Sequence, residues 1–170
     1  MKLVLLRQDF VRCQILSRKI SKKAISEVGL EAQKIQYFSN MVQYHVYEKE
    51  LLNAAKDFQI IFDVYNKADA ELTAKLDSTG EKKSLAFRNF VLYLLVSPYD
   101  NEKVDMLNIV EKTYPRDLEK EELISKFVRK FLTFELMPLH EDQVEQQMLA
   151  FEPFSESTRN HKKHLSEMIR

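Results

Sequence analysis

The chain has 170 residues, with 26 basic and 26 acidic side chains, 45% hydrophobic residues, two glycines and four prolines. The scarcity of glycine and proline excludes a turn-dense β fold, and the apolar content excludes a wholly disordered chain. The formal net charge of zero gives no whole-chain argument for binding nucleic acid or an anionic membrane, because proteins that follow a phosphate backbone carry a basic excess.

No segment of the sequence has the character of a membrane span or an export signal. The charge-free stretches are shorter than the roughly 20 residues that cross a bilayer, and the apolar run 3–6 is too short for a signal peptide. A lone Cys13 cannot form an internal disulfide, which is typical of a reducing compartment. We therefore predict a protein of the cytoplasm and nucleus with no membrane partner.

Apolar residues at spacings of three and four predict helices from the beginning of the chain. The first helix covers 2–20, and the helices over 31–47 and 48–66 are predicted to form an antiparallel pair. His45 falls on the apolar stripe of its helix, where a hydrogen-bonded structural histidine is the ordinary role. The predicted buried stripe of the first helix consists of Leu3, Leu6, Phe10, Cys13 and Ile20.

The segment 77–83 is the clearest predicted loop, and Ser78 with Glu81 has the spacing of a capping box for the helix that follows. That helix, over 82–96, is apolar on nearly every side. A helix of this kind must be covered on most sides. We therefore predict that it lies at the centre of the domain.

A helix over 98–112 is predicted to follow directly. Its expected start has Ser97 as the N-cap, Pro98 at the first helical position and Asp100 in the first turn.

The clearest amphipathic helix is predicted over 118–137, with Asp117 as its N-cap and Pro138 at its end. Weaker helices are predicted over 139–151 and 155–170. Strong helix starts recur about every 35 residues, which is typical of stacked helix pairs. The prediction is an all-α fold, an α-solenoid of antiparallel helix pairs that forms one helical-repeat domain over 1–170, with a compact helical bundle as the alternative.

The sequence carries no motif of an enzyme or a cofactor site. With Gly29 and Gly80 as its only glycines it has no phosphate-binding loop, and it has no nucleophile elbow or paired-cysteine motif. Cys13 is predicted to be buried and inert, since burial raises the pKa of a thiol. His161 and His164 share a helical face but lack evident further ligands, so a solvated basic face is favoured over a metal site. No catalytic, cofactor or metal residues are predicted.

Two basic clusters remain as candidates for partner binding, one in the first predicted helix and just after it, and one over 159–164. No interleaved aromatic residues offer a stacking platform for bases, so nucleic acid is disfavoured. An acidic surface of a protein partner and a plain solvated face both stay open. The first cluster, which we predict as the partner-binding site, consists of Arg12, Arg18, Lys19, Lys22 and Lys23.

Three segments carry a family resemblance: Leu5–Ile20 (LLRQDFVRCQILSRKI), Val91–Glu102 (VLYLLVSPYDNE) and Phe131–Met137 (FLTFELM). Through these segments, and in order over most of its length, the chain resembles PCI-family lid subunits of the 26S proteasome regulatory particle, the family of non-ATPase regulatory subunit twelve. The first segment is also similar to the PCI subunit of the signalosome.

The resemblance implies a right-handed solenoid of TPR-like repeats preceding a PCI winged helix, and a chain that is a fragment without that winged helix. It implies a non-catalytic scaffold for ubiquitin-dependent protein degradation. The implied partners are other lid subunits, including PCI neighbours and the lid deubiquitinase. The alternative is an independent helical-repeat adaptor, such as the PCI subunit of the signalosome or a module that binds peptides or nucleic acid.

The matched positions also receive physical roles. Asp100 and Asn101 resemble a helix-start device, and the final helix is expected to expose an apolar side that favours a non-native dimer of the fragment. The residues expected to pack between helices are Phe10, Val11, Ile15 and Leu16. Those expected to point outward are Arg7, Arg12 and Arg18. Those expected on the exposed side of the final helix are Leu165, Met168 and Ile169.

Overall fold

The computed structural model describes residues 1–20, 29–68, 76–77 and 79–133, and every regular element in these ranges is a helix. The predicted all-α class is confirmed, and the helices are consistent with a helical-repeat solenoid. Contacts divide the chain into two compact units, Met1–Tyr93 and Leu94–Arg170. The described helices are α1 (Lys2–Leu6), α2 (Phe10–Lys19), α3 (Glu31–Tyr47), α4 (Leu51–Lys67), α5 (Glu81–Val96), α6 (Asn101–Thr113), α7 (Pro115–Glu119) and α8 (Glu122–Thr133).

In the first unit, α3 and α4 pack against each other along their lengths across a connection of three residues. They form the predicted antiparallel pair. Aromatic rings join α4 to α5, with Phe62 and Phe87 centred 5.0 Å apart and Phe58 stacked on Tyr93 at 5.5 Å. Such ring pairs stabilise a core beyond the area that they bury.

The predicted apolar character of α5 is matched by its burial. All seven residues from Phe90 to Val96 are buried, so no side of this part of the helix faces solvent. The preceding turn buries Ala86 and Phe87 as well. In the predicted loop 77–83, which precedes α5, the carboxylate of Asp77 accepts a hydrogen bond from the backbone N–H of Lys83 at 2.8 Å. The predicted capping residue Ser78 lies outside the described residues.

The prediction of one helix over 2–20 is wrong, because the chain breaks between α1 and α2. Gln8 adopts a left-handed conformation (φ 56°), and its N–H donates to the carbonyl of Leu5 while the N–H of Asp9 donates to that of Val4. This is the Schellman arrangement that ends many helices, usually with glycine at the left-handed position. Asp9 then caps α2 by accepting from the N–H of Arg12 at 3.1 Å.

The start of α6 lies three residues later than predicted. Ser97 is not an N-cap: it is buried, and its hydroxyl donates to the carbonyl of Leu94 at 2.7 Å. The cap is Asp100, whose carboxylate accepts from the N–H of Asn101 at 2.7 Å. The expected helix-start role of Asp100 and Asn101 is thereby confirmed.

The prediction of one helix beginning at 118 is also wrong, because α7 and α8 are separate. Asp117 lies inside α7 instead of capping the longer helix. Leu118, Ile124 and Val128 are all buried, yet in one straight helix Leu118 would point about 100° away from the other two. The break lets all three reach the core of the second unit. The predicted end at Pro138 and the helices over 139–151 and 155–170 lie outside the described residues.

Candidate interaction surface on α1 and α2

The inner side of α1 and α2 packs against α3. Leu5, Cys13 and Tyr44 form a buried cluster. The predicted burial of Cys13 is confirmed, and this burial raises the pKa of its thiol. Phe10 stacks on Tyr47 with ring centres 3.4 Å apart and fixes the start of α2 against the end of α3. The half-buried residues around the cluster are Met1, Val4, Phe10 and Met41.

The outer side carries large apolar side chains that face solvent. Leu3 and Leu6 are 75% and 72% exposed, and Val11 and Ile15 are 71% and 49% exposed. The predicted burial of Leu3 and Leu6 is wrong, because the break at Gln8 gives α1 its own rotational phase and turns Leu5 inward instead. The expected packing of Val11 and Ile15 between helices is wrong in the described residues too. We call the exposed residues Leu3, Leu6, Val11 and Ile15 the α1–α2 face.

Helical geometry explains why Val11 and Ile15 face outward together. At about 100° per residue, both project roughly 160° away from the buried Cys13 on α2. A pocket of about 150 Å³ lies between α1 and α2. It is lined by Leu3, Val4, Arg7, Asp9 and Arg12.

The predicted basic site is only partly within the described residues. Arg12 is exposed, and its Nε lies 3.2 Å from Oδ2 of Asp9. Arg18 and Lys19 are exposed in the last turn of α2, where cations favour the helix dipole. The structure thus brings Arg12, Arg18 and Lys19 onto the helix that carries Val11 and Ile15. Lys22 and Lys23 lie outside the described residues.

A buried lysine in the second unit was not predicted. The ammonium of Lys103 donates to the carbonyls of Leu95 and Ser97, at 2.7 Å each, and lies 4.9 Å from the centre of the Phe131 ring. Burial lowers the pKa of Lys103 to about 8. The sequence held a signal for it, since Lys103 shares the spacing of three, four and seven residues with the buried Met106, Leu107 and Val110.

The hydrogen bonds of Lys103 are with the carboxyl end of α5 and the residue after it. The last carbonyls of a helix lack partners within the helix, and a cation there also meets the negative end of the helix dipole. Lys103 therefore satisfies the carbonyls at the carboxyl end of α5 from α6.

His45 has the structural role predicted for it. Its Nδ1 lies 2.8 Å from Oε2 of Glu50, and its Nε2 lies 3.6 Å from Oδ2 of Asp57. The histidine therefore ties the end of α3 to the start and the first half of α4. Among the described residues no group of three or more His, Cys, Asp or Glu side chains is placed to hold a metal ion. His161 and His164 lie outside them.

Within the part of the chain that the structure describes, none of the helices has the length and apolar character needed to span a membrane. The helices and the exposed α1–α2 face together define a helical-repeat chain with a surface suited to protein contacts.

Comparison with known proteins extends this description. Residues 1–69 match the family model described as PSMD12/CSN4, N-terminal. The 26S proteasome regulatory subunit RPN5 of Saccharomyces cerevisiae is 28% identical over 137 residues, which is 81% of this chain and 28% of that protein. The 26S proteasome regulatory subunit rpn501 of Schizosaccharomyces pombe is 25% identical over 136 residues, 80% of this chain and 28% of that protein.

The 26S proteasome non-ATPase regulatory subunit 12 of Dictyostelium discoideum is 23% identical over 138 residues, 81% of this chain and 28% of that protein. These matches confirm the resemblance seen in the sequence. Over about four-fifths of its length the chain is similar to proteasome regulatory subunits of the PSMD12 type. It spans about 28% of the length of these relatives.

Proposed function

We propose that this chain serves as a non-catalytic scaffold in the lid of the proteasome regulatory particle and supports ubiquitin-dependent protein degradation through protein–protein contacts. The observation that carries the proposal is the similarity to proteasome regulatory subunits over 80% to 81% of the chain. The proposed partners are other lid subunits, including PCI neighbours and the lid deubiquitinase. The proposed setting is the cytoplasm and nucleus.

The geometry of the first unit supports a role in protein contacts. The α1–α2 face exposes aliphatic side chains, and arginines lie beside them, a combination typical of protein interfaces. Helical-repeat proteins hold their partners through exposed helix faces. The exposed apolar side chains and arginines of the α1–α2 face therefore support the proposed scaffold role.

Affinity purification of the tagged full-length protein, followed by quantitative mass spectrometry, tests the proposal. We expect lid subunits at close to equal molar amounts, and co-migration with the regulatory particle on a glycerol gradient. A tagged helical protein of similar size serves as the control. Recovery of signalosome subunits in place of lid subunits would establish the alternative assembly, and recovery of neither would overturn the scaffold function.

A further inference from the structure

Exposed apolar residues are concentrated at the beginning of the chain. Five of the ten large hydrophobic side chains that are exposed in the described residues lie within residues 1–20. Each costs free energy in water, at about 25 cal/mol per Å² of apolar surface. Scattered apolar side chains are normal on a surface, whereas a group of them marks a contact site.

The charge of this region is as uneven as its hydrophobicity. Residues 1–20 contain five basic side chains and one acidic side chain, a formal charge of +4 (5 − 1), although the whole chain has 26 of each sign. The acidic one, Asp9, already pairs with Arg12. A partner complementary to this region is therefore acidic. The basic residues are Lys2, Arg7, Arg12, Arg18 and Lys19.

The apolar and basic residues follow the same helix surface. Ile15 lies one turn beyond Val11, and Arg18 lies three residues beyond Ile15, so the three form one stripe along the exposed side of α2. The pocket between α1 and α2 has an almost wholly apolar surface, and Leu3, Arg7 and Arg12 are among the residues around it. An apolar stripe with cations beside it fits a helix that has leucines on one side and carboxylates along the edges.

We propose that the α1–α2 face is a docking site for an acidic amphipathic helix of a partner protein. The apolar stripe of the partner covers Val11 and Ile15 and places one side chain in the pocket beside Leu3. Its flanking carboxylates pair with Arg7 and Arg18. This inference rests on the proposed scaffold function for its setting and names the chemistry of one partner.

Two other polyanionic partners fit the surface less well. The exposed side of α2 carries aliphatic side chains instead of the aromatic platforms on which bases stack, so RNA lacks its usual contacts. The surface of the pocket is almost wholly apolar, so it offers a phosphate from RNA or from a lipid headgroup few polar contacts. An apolar side chain of a protein partner suits such a pocket better.

Fluorescence titration of the purified chain with synthetic peptides tests the proposal. The probe is an acetylated and amidated peptide of about 20 residues, long enough to form a helix, with leucines at spacings of three and four and glutamates along both edges. One control peptide has lysines in place of the glutamates. A second control has the same composition with the leucines spread around the helix.

The chain offers matched control variants. Ile15→Glu places a charge in the centre of the face, and Ile109→Glu makes the same change on α6, where Ile109 is 44% exposed. Arg18→Glu tests the cation, with Arg116→Glu on α7 as its control. Circular dichroism checks that all four variants fold, which we expect because exposed substitutions away from special features change stability little.

We expect saturable binding of the acidic peptide, weakened about tenfold or more by Ile15→Glu and several-fold by Arg18→Glu, where tenfold corresponds to about 1.4 kcal/mol. The control variants should bind as the wild type does, and the control peptides should bind at least tenfold more weakly. Absence of binding, or equal binding by Ile15→Glu, would overturn the docking site. So would self-association of the chain that Val11→Glu abolishes, or Ile15-dependent binding to RNA or to phosphatidylserine vesicles without binding to the peptide.

The two proposals fail separately in these experiments. Recovery of lid subunits together with no peptide binding removes the docking site and leaves the scaffold function. Peptide binding that depends on Ile15, together with no lid subunits, removes the lid function and leaves the docking site.

Discussion

The first 20 residues and the end of α5 are both rich in apolar side chains, but many of these side chains lie in opposite environments. From Phe90 to Val96 every side chain is buried, whereas Leu3, Leu6, Val11 and Ile15 point into solvent. Burial lets the apolar side chains at the end of α5 contribute to stability. The four exposed side chains of the α1–α2 face make no such contribution, which is why they are the basis of the proposed docking site.

Leu95→Ala gives the largest expected difference between the two regions. Leu95 is almost completely buried, so truncation removes apolar contacts and leaves a cavity that costs about 2 to 5 kcal/mol of unfolding free energy. Ile15→Ala, at a half-exposed position, should cost about 0.5 kcal/mol or less. Urea unfolding followed by circular dichroism measures both. Equal losses would show that the two regions do not differ in the way that their burial indicates.

The buried half of this comparison could be predicted from the sequence, and the exposed half could not. A helix that is apolar on every side is stable only when it is buried, so the burial of α5 can be predicted from its residue types alone. In α2, Val11 and Ile15 are as apolar as the residues of α5. Their exposure depends on the direction in which α2 presents Cys13 to α3, and single-sequence periodicity does not specify that direction.

The missed helix break has a related physical cause. Helix ends of the Schellman type are normally marked by glycine, and this chain uses Gln8 and Lys49 at the left-handed positions, with φ of 56° and 63°. The break at Lys49 was still predicted, because the positions of the apolar residues shift around the helix there. The break at Gln8 was not predicted, because Leu3, Leu6 and Phe10 keep helical spacing across it. Of the predicted basic site, Arg12, Arg18 and Lys19 are exposed, as is usual for charged side chains, whereas the buried Lys103 is an exception in this chain.

Lys103→Met tests how the end of α5 is held. Methionine keeps most of the unbranched apolar stem but leaves the carbonyls of Leu95 and Ser97 without their donor, at a cost of about 1 to 3 kcal/mol of unfolding free energy. Lys112→Met, at an exposed position of the same helix, should change stability little. A neutral or stabilising effect of Lys103→Met in urea unfolding would show that these hydrogen bonds do not support the carboxyl end of α5.

The pH dependence of the same variant has a definite sign. Burial lowers the pKa of Lys103 from 10.5 to about 8, so between these two values the unfolded chain binds a proton that the folded chain has lost. The unfolding free energy of the wild type relative to Lys103→Met should therefore rise with pH from about 8 and stay level below it. Tyr93, whose pKa is raised to about 12 by burial, is present in both proteins and cancels in the difference. A difference that falls over this range would contradict the low pKa of Lys103.

Gln8→Gly gives the smallest expected effect and acts on the exposed region. A left-handed conformation costs an L-residue roughly 1 to 2 kcal/mol, which glycine avoids, while the greater freedom of glycine in the unfolded chain removes about half of that gain. We expect the unfolding free energy to rise by about 0.5 kcal/mol in urea unfolding. Gln14→Gly, inside α2, serves as the control and should lower it by about 1 kcal/mol, because glycine is a poor helix former. Since Gln8→Gly preserves the break between α1 and α2, peptide binding at the α1–α2 face should stay unchanged. If Gln8→Gly destabilises the chain as Gln14→Gly does, residue 8 lies in a continuous helix and the exposed side of α1 is not set by the break.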